Sequence, residues 1–282
     1  MNAEVRPDLV DARRLLGTQA RFLAQGATCT VFTDGHRVVR LGVGREARLR
    51  VQVQLQQALA QAGVPVAEVL EAGTLPSGRA FSVERRITAD RRGPGAAGWA
   101  DLGYALRTLH TLPHRNFGLL EDRADQLVGQ AASPAGGLLT RLPEVWPLGP
   151  GPLSEQSLVK VDPTLAEPLA GLQEALSALP AGPAVVGHTD LHPGQLLWRG
   201  GRLAAILDFG DAAIGPASWD SASLAYFHGW AVVDGADLPA GQDAALLGLL
   251  LSFHRARRAR TAGQQVQAAA FAWTCLRRLG TV

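Results

Sequence analysis

A chain of 282 residues can bury one large core or two small ones, so it needs no disulfide staples. Hydrophobic residues make up 47% and charged residues 18%, a globular mixture rather than a disordered one, and the formal net charge of +2 is too weak a basic field to argue for nucleic acid. Only one of the 27 basic residues, Lys160, is a lysine, so chemistry that normally uses a lysine must find it there or do without.

The segment from Met1 to Gly17 is charged from Glu4 onward and lacks the apolar stretch of a signal peptide. The longest apolar run, Ala244 to Phe253, is too short to span a bilayer. A cytoplasmic chain without membrane contact is therefore expected. Cys29 and Cys275 form no CxxC pair and no zinc-ligand spacing, and are expected as two buried free thiols in a reducing compartment.

Residues 19 to 85 read as a strand-rich unit with one helix. RFLAQG, TCTVFTD and HRVVRLGV carry the apolar and β-branched pattern of strands, with a turn at Gly35. Glu46 to Gln61 lacks Gly and Pro and spaces Leu49, Val53, Leu55 and Leu59 for a helix. VAEVLEAG and RAFSVERR follow as strands joined at Pro76-Ser77-Gly78. This order predicts a small antiparallel sheet with one packed helix. The polar, Gly/Pro-rich ITADRRGPGAAG then predicts a domain boundary, dividing the chain into 1–88 and 89–282.

Beyond it, Trp99 to Leu112 is predicted as a helix with Leu102, Leu106 and Leu109 on one face, 133 to 153 as loop, and Leu165 to Leu179 as a helix. AVVG, QLLWR and LAAILDFG predict short strands within 184–213, and three helical segments follow from Ala217. The fold class is α+β, a small β-rich lobe before a larger α-helical one.

The polar chemistry is concentrated in His188-Thr189-Asp190-Leu191-His192-Pro193-Gly194-Gln195 and, after a Gly-Gly turn, Ile206-Leu207-Asp208-Phe209-Gly210-Asp211. Two aspartates on strand-fed loops suit divalent-metal phosphate chemistry, because Mg²⁺ takes oxygen ligands and is held by one or two carboxylates plus substrate phosphates. HTDLHPGQLLW followed by ILDFGDAAIGPASWDSASLAY resembles the paired signature of the aminoglycoside phosphotransferase and choline kinase family, small-molecule kinases with a two-lobe protein-kinase-like fold. The LGYALRTLHTLP stretch belongs to the same likeness, which is weak between 113 and 183.

The resemblance implies ATP and Mg²⁺ as cofactors and a small-molecule hydroxyl as acceptor, with no nucleic-acid or membrane partner. Asp190 would be the catalytic aspartate and Asp208 a Mg²⁺ ligand. Gln195, where the family has asparagine, would be a second ligand on a longer stem. His188 would pack under the loop, and Asp220 would accept its backbone N–H groups. Gly26, Ala27 and Thr28 would fold over the phosphates. Arg40 stands where a kinase lysine would grip phosphate, and arginine keeps the charge with bidentate reach. Its helix partner would be Glu46, although the usual position falls nearer Gln52. FSVERR would be the hinge, with the backbone of Ser82 to Arg85, Val83 and Glu84 among them, reading the adenine edge.

His192 reads as loop packing, Asp211 as either structural or substrate-facing, and His254 to Arg260 as a solvated basic helix face. From Asp208 onward six acids stand against six arginines, no evident cleft for a polycation, so a less charged antibiotic or a metabolite alcohol suits the acceptor role. Trp146, Trp219 and Trp230 are either core or pocket lining. The alternative is a nucleotide-binding scaffold without transfer activity. A serine hydrolase lacks its GxSxG elbow.

Overall fold

The alternating stretches of the first third form one antiparallel sheet. In the computed structural model, which describes residues 5–44, 47–90, 92–180 and 182–282, it comprises β1 (Arg21–Gln25), β2 (Cys29–Thr33), β3 (Arg37–Gly42), β4 (Val69–Thr74) and β5 (Ala80–Arg85). Their order is β1-β2-β3-β5-β4. Alternation along β3 sends Val39 and Leu41 to one face, where they meet Phe32, Phe81 and Val83, and Arg40 to the other. A helix that the sequence reading did not contain, α1 (Val5–Leu16), covers the apolar face with Ala12 and Leu16. Asp8 fixes it, accepting from Thr30 Oγ1 at 2.8 Å and pairing with Arg79. The predicted helix begins later than expected, as α2 (Leu49–Gln61), and packs Leu55 and Leu59 inward beside β4 and β5.

Next in the chain are α3 (Ala96–His110), β6 (His114–Arg115), β7 (Phe117–Leu120), β8 (Leu127–Ala131) and α4 (Pro134–Arg141). The expected loop at 133–153 thus begins with a helix. Ser133 caps it, accepting from Gly136 N–H at 3.2 Å, and Pro134 occupies its first position. Its glycines look like breakers in sequence, but Gly137 answers a close contact: a Cβ there would lie 2.6 Å from Phe117 Cβ. The expected helix at 165–179 is divided instead. After α5 (Ser157–Val161) come a 3₁₀ turn at Pro163–Leu165, α6 (Ala166–Ala170) and α7 (Gln173–Ser177). Then follow β9 (Ala184–Gly187), β10 (Leu196–Arg199), β11 (Arg202–Ile206) and β12 (Ala213–Pro216). Four helices complete the chain, one more than expected: α8 (Ser218–His228), α9 (Trp230–Gly235), α10 (Gln242–Arg258) and α11 (Ala262–Leu279). Gly229, at φ 88°, separates the first two.

A second sheet in the order β6-β8-β7-β12-β9 lies in stretches only partly read as strands. β10 and β11 form a hairpin whose two-residue turn, Gly200-Gly201, has φ of 58° and 80°, the positive pair a tight turn of this kind demands. The chain divides into two compact units. One holds 1–98, 121–127 and 194–210, and the other the remaining residues. The β10–β11 hairpin belongs to the first, where Ile206 N–H donates to Pro65 O at 3.0 Å and Asp90 N–H to Trp198 O at 3.0 Å. The fold class is the expected α+β, with an antiparallel sheet in the first part and helices in the last.

Candidate active site

In the second unit the chain leaves β9 at Gly187 and turns through His188, Thr189 and Asp190. Thr189 takes φ 62°, a region unfavourable for a β-branched residue and held only by surrounding contacts. Those contacts converge on Asp220 in the first turn of α8. Its buried carboxylate accepts Thr189 N–H at 2.7 Å and His188 N–H at 3.2 Å, and meets His110 Nε2 at 2.9 Å. Burial works to raise the Asp220 carboxyl, but His110 and the Thr189 N–H hold it below the usual carboxylate range. Gly187 leaves the space this needs, since a Cβ would stand 3.3 Å from Asp220 Oδ2. Thr189 Oγ1 donates to Asp211 O at 2.6 Å, and Leu191 N–H to Ser223 Oγ at 2.8 Å. His188 is buried beneath, its Nδ1 3.4 Å from Asp190 N.

Asp190 projects from this fixed loop with 15% of its side chain exposed, and forms an ion pair with Arg255 of α10. Burial works to raise its carboxyl, but Arg255, helped by Arg141 and His192, holds it below the ordinary range. Asp211 is ion-paired with Arg141 of α4 at 2.9 Å. Of the three tryptophans, Trp219 is buried and lines a small, mostly apolar cleft with Phe117, Leu138 and Ile214. Trp146 is buried too, and Trp230 is stacked between Phe271 and Arg278.

In the first unit Asp208 follows β11, also at a positive φ of 60°, with 42% of its side chain exposed. Gln195 ends a 3₁₀ turn. Its Nε2 donates to Asp208 Oδ2 at 3.4 Å, and its main-chain carbonyl accepts Leu207 N–H at 2.8 Å. Arg40 reaches the same carboxylate, with Nη1 3.7 Å from Asp208 Oδ1, and lies 3.4 Å from Glu84 Oε1. Burial would lower the Arg40 guanidinium, but Glu84 and Asp208 raise it above its ordinary value. Its buried Nε has no hydrogen-bond partner despite these charges. Gln52 of α2 is buried with Nε2 unpartnered, against Gly210.

Arg40 therefore has its carboxylate from β5. Glu46, the expected helix partner, lies outside the described residues. β5 is flanked by β3 and β4, and the N–H groups of Arg85 and Arg86 donate to Glu68 and His36 carbonyls. Glu84 serves Arg40 through its side chain. Gly26 and Ala27 are exposed in the β1–β2 turn, closed by Gly26 N–H to Cys29 O at 2.8 Å. Cys29 and Cys275 are buried free thiols.

Among the described residues no group of three or more His, Cys, Asp and Glu side chains could hold a metal alone. Asp208 offers a carboxylate, and Gln195 beside it an amide oxygen once its carboxamide turns over, hard donors that fit Mg²⁺ completed by nucleotide phosphates and do not fit structural zinc. The nucleotide and metal candidates Gly26, Ala27, Thr28, Arg40, Glu84, Gln195 and Asp208 fall in the first unit, and Asp190, His188 and Asp220 in the second. The sequence reading missed Arg141, Arg255 and His110. Arg255 belongs to the run expected as a solvated face, yet His254 and Ala256 beside it are buried.

A family model described as "Phosphotransferase enzyme family" matches residues 19–279. No curated protein matches. Solved structures share the fold. That of aminoglycoside phosphotransferase APH(4)-Ia superposes with a TM-score of 0.69 at 15% identity, covering 98% of this chain and 99% of that one. The GDP and kanamycin complex of APH(2")-IIia gives 0.67 at 15% identity over 97% and 98%. The GDP complex of aminoglycoside 2'-phosphotransferase-IIIa gives 0.64 at 16% over 98% and 99%. A thermostable mutant of APH(4)-Ia is solved in a ternary complex with AMP-PNP and hygromycin B. No helix among the described residues is long and apolar enough to cross a membrane.

Proposed function

Because the chain belongs to the phosphotransferase enzyme family, we propose that it transfers the γ-phosphoryl group of ATP to a hydroxyl of a small molecule, as a soluble cytoplasmic enzyme. Residues 1–88 would form the ATP-binding lobe and 89–282 the catalytic and acceptor lobe. The carrying observation is Asp190, a partly exposed carboxylate whose loop is fixed by the buried Asp220. Solved relatives of the same fold with nucleotides and antibiotics bound support the reaction class.

Asp190 would orient the acceptor hydroxyl and take its proton as the oxygen attacks phosphorus. Its lowered pKa makes it a weak base, so alignment carries more of its role than proton affinity. Arg40, whose Nη1 lies 3.7 Å from Asp208 Oδ1, would hold a nucleotide phosphate oxygen, and Gly26, Ala27 and Thr28 would present backbone to the phosphates. Asp208 and Gln195 would hold Mg²⁺, which supplies charge neutralisation at the phosphates when bound.

The test is ADP release beside nucleotide protection in thermal unfolding. Asp190→Asn should keep protection by Mg-ATP and lose turnover, whereas Asp208→Asn should weaken the magnesium-dependent part of protection. Turnover surviving Asp190→Asn refutes the assignment. The Arg255–Asp190 pair favours one other reading, a nucleotide-binding scaffold with its aspartate locked. Protection by Mg-ATP without turnover on any acceptor would establish it.

A further inference from the structure

The basic run of α10 is turned partly inward. Arg255 pairs with Asp190 and lies 4.9 Å over the Phe227 ring and 5.7 Å over Tyr226, with 24% of its side chain exposed. Arg257, on another side of the helix, is taken by Glu144. From α4, Arg141 reaches the same place. Its side chain is 8% exposed, and its Nη2 donates to Asp211 Oδ2 at 2.9 Å. The Nε atoms of Arg141 and Arg255 are both buried with no hydrogen-bond partner. Buried guanidinium donors are normally satisfied, so two orphans in one cluster mark a place where acceptors are missing.

The charges agree. Arg255 and Arg258 both repel Arg141 there, and Asp211 and Asp190 oppose them. Burial, with repulsion from Arg255 and Arg258, pulls the Arg141 guanidinium below its ordinary range although both carboxylates oppose this. His254 stays neutral in the same field. The cluster is short of negative charge.

Transfer requires the Asp190 carboxylate to turn to a hydroxyl, which takes it from Arg255. A polycation would have to enter between that pair and approach two more arginines. An acceptor bearing its own anion would restore the ion pair and supply oxygens to the orphaned N–H groups. We propose that the acceptor is a small hydroxylated anion whose carboxylate or phosphate is gripped by Arg141 and Arg255 while its hydroxyl meets Asp190. This deepens the phosphotransfer proposed above and rests on it. The acceptor oxygen bonds to the γ-phosphorus, and the bond from that phosphorus to the β–γ bridging oxygen breaks. ADP leaves with the electron pair, and the hydroxyl proton passes to Asp190 and then to water.

The full chain, its nucleotide site filled with Mg-ADP, is melted with inorganic phosphate, glycerate, glycerol or kanamycin, and ADP release is followed separately with Mg-ATP. Phosphate and glycerate should raise the melting temperature, and glycerol and kanamycin should not. Arg255→Gln, and independently Arg141→Lys, should weaken the glycerate effect by about tenfold or more, with Mg-ADP protection showing that each variant is folded. Anion protection that is absent, or equal in wild type and both variants, overturns the proposal, as does protection by kanamycin alone. Anion protection lost in the variants, with no ADP release on any acceptor, would instead sink phosphotransfer and leave the anion site standing.

Discussion

Arg40→Ala separates what this arginine does for the fold from what it would do for the nucleotide. Arg40 and Glu84 are 12% and 5% exposed, and Ser82 Oγ, donating to Glu84 at 3.0 Å, is the carboxylate's other partner. Removing Arg40 leaves that buried carboxylate without its counter-charge, a loss of about 3 kcal/mol, at the low end for a buried pair because Nε is not aligned to donate. At about 2–4 °C per kcal/mol for a chain of this size, the melting temperature should fall by roughly 6–12 °C. The double variant Arg40→Ala, Glu84→Ala should recover about 2 kcal/mol of this, the coupling expected of neighbours in contact. Affinity for ATP should behave differently. A charged hydrogen bond to phosphate contributes about 1.5–3 kcal/mol, so Arg40→Ala should bind ATP about ten- to a hundredfold more weakly, and the double variant should recover none of it. Calorimetric titration with Mg-ATP and thermal unfolding measure the two quantities. Lys160→Ala, on the exposed side of α5, should change neither by more than about 0.5 kcal/mol. ATP affinity within about twofold of wild type in Arg40→Ala, or restored in the double variant, would refute the reasoning.

Asp220→Asn should destabilise by about 3 kcal/mol, because the amide sets an N–H₂ against the donors at His188 and Thr189, and it should lower kcat while leaving the KM for ATP near wild type. An unchanged melting temperature would contradict the anchor role. His254, buried among Arg141, Arg255 and Arg258, has its pKa pushed down to about 3. Below about pH 6.5 the unfolded chain binds a proton that the folded chain refuses, so stability should fall with pH by up to about 1.4 kcal/mol per unit until about pH 3. Urea titrations of His254→Gln should show a shallower acid slope, and an unchanged slope would count against the buried neutral imidazole. Gly26→Ala should leave stability within about 0.5 kcal/mol, since a Cβ there meets only Cys29 O at 3.5 Å, yet should weaken ATP binding. Equal ATP affinity would remove the β1–β2 turn from the phosphate site.

The first sheet was legible because its signal is local. Val39 and Leu41 alternate with Arg40 inside one strand, and the turns at Gly35 and Gly78 separate neighbours that pair. α4 was hidden because its Gly137 serves the approach of Phe117 and Gly118, a tertiary demand that in sequence looks like a break. The second sheet is assembled from strands too short to show a period, the shortest being His114–Arg115. At the site, Asp190 and Asp208 were legible because each lies in a short polar motif between apolar strands. Their partners were not. Arg255 meets Asp190 across 65 residues of chain and Arg141 meets Asp211 across 70, so no spacing announces either pair. The inward turn of α10 went unread: Phe253 and Ala256 lie one helical step apart on a buried face, but the density of arginine concealed it.

The most direct measurement of phosphotransfer is phosphorus NMR of the full chain incubated with Mg-ATP and a panel of hydroxylated acceptors. A phosphate-monoester resonance should appear with ADP in equal amounts for at least one acceptor, and both should vanish in Asp190→Asn while Mg-ATP still protects that variant from unfolding. A monoester formed as fast by Asp190→Asn as by wild type would contradict the account.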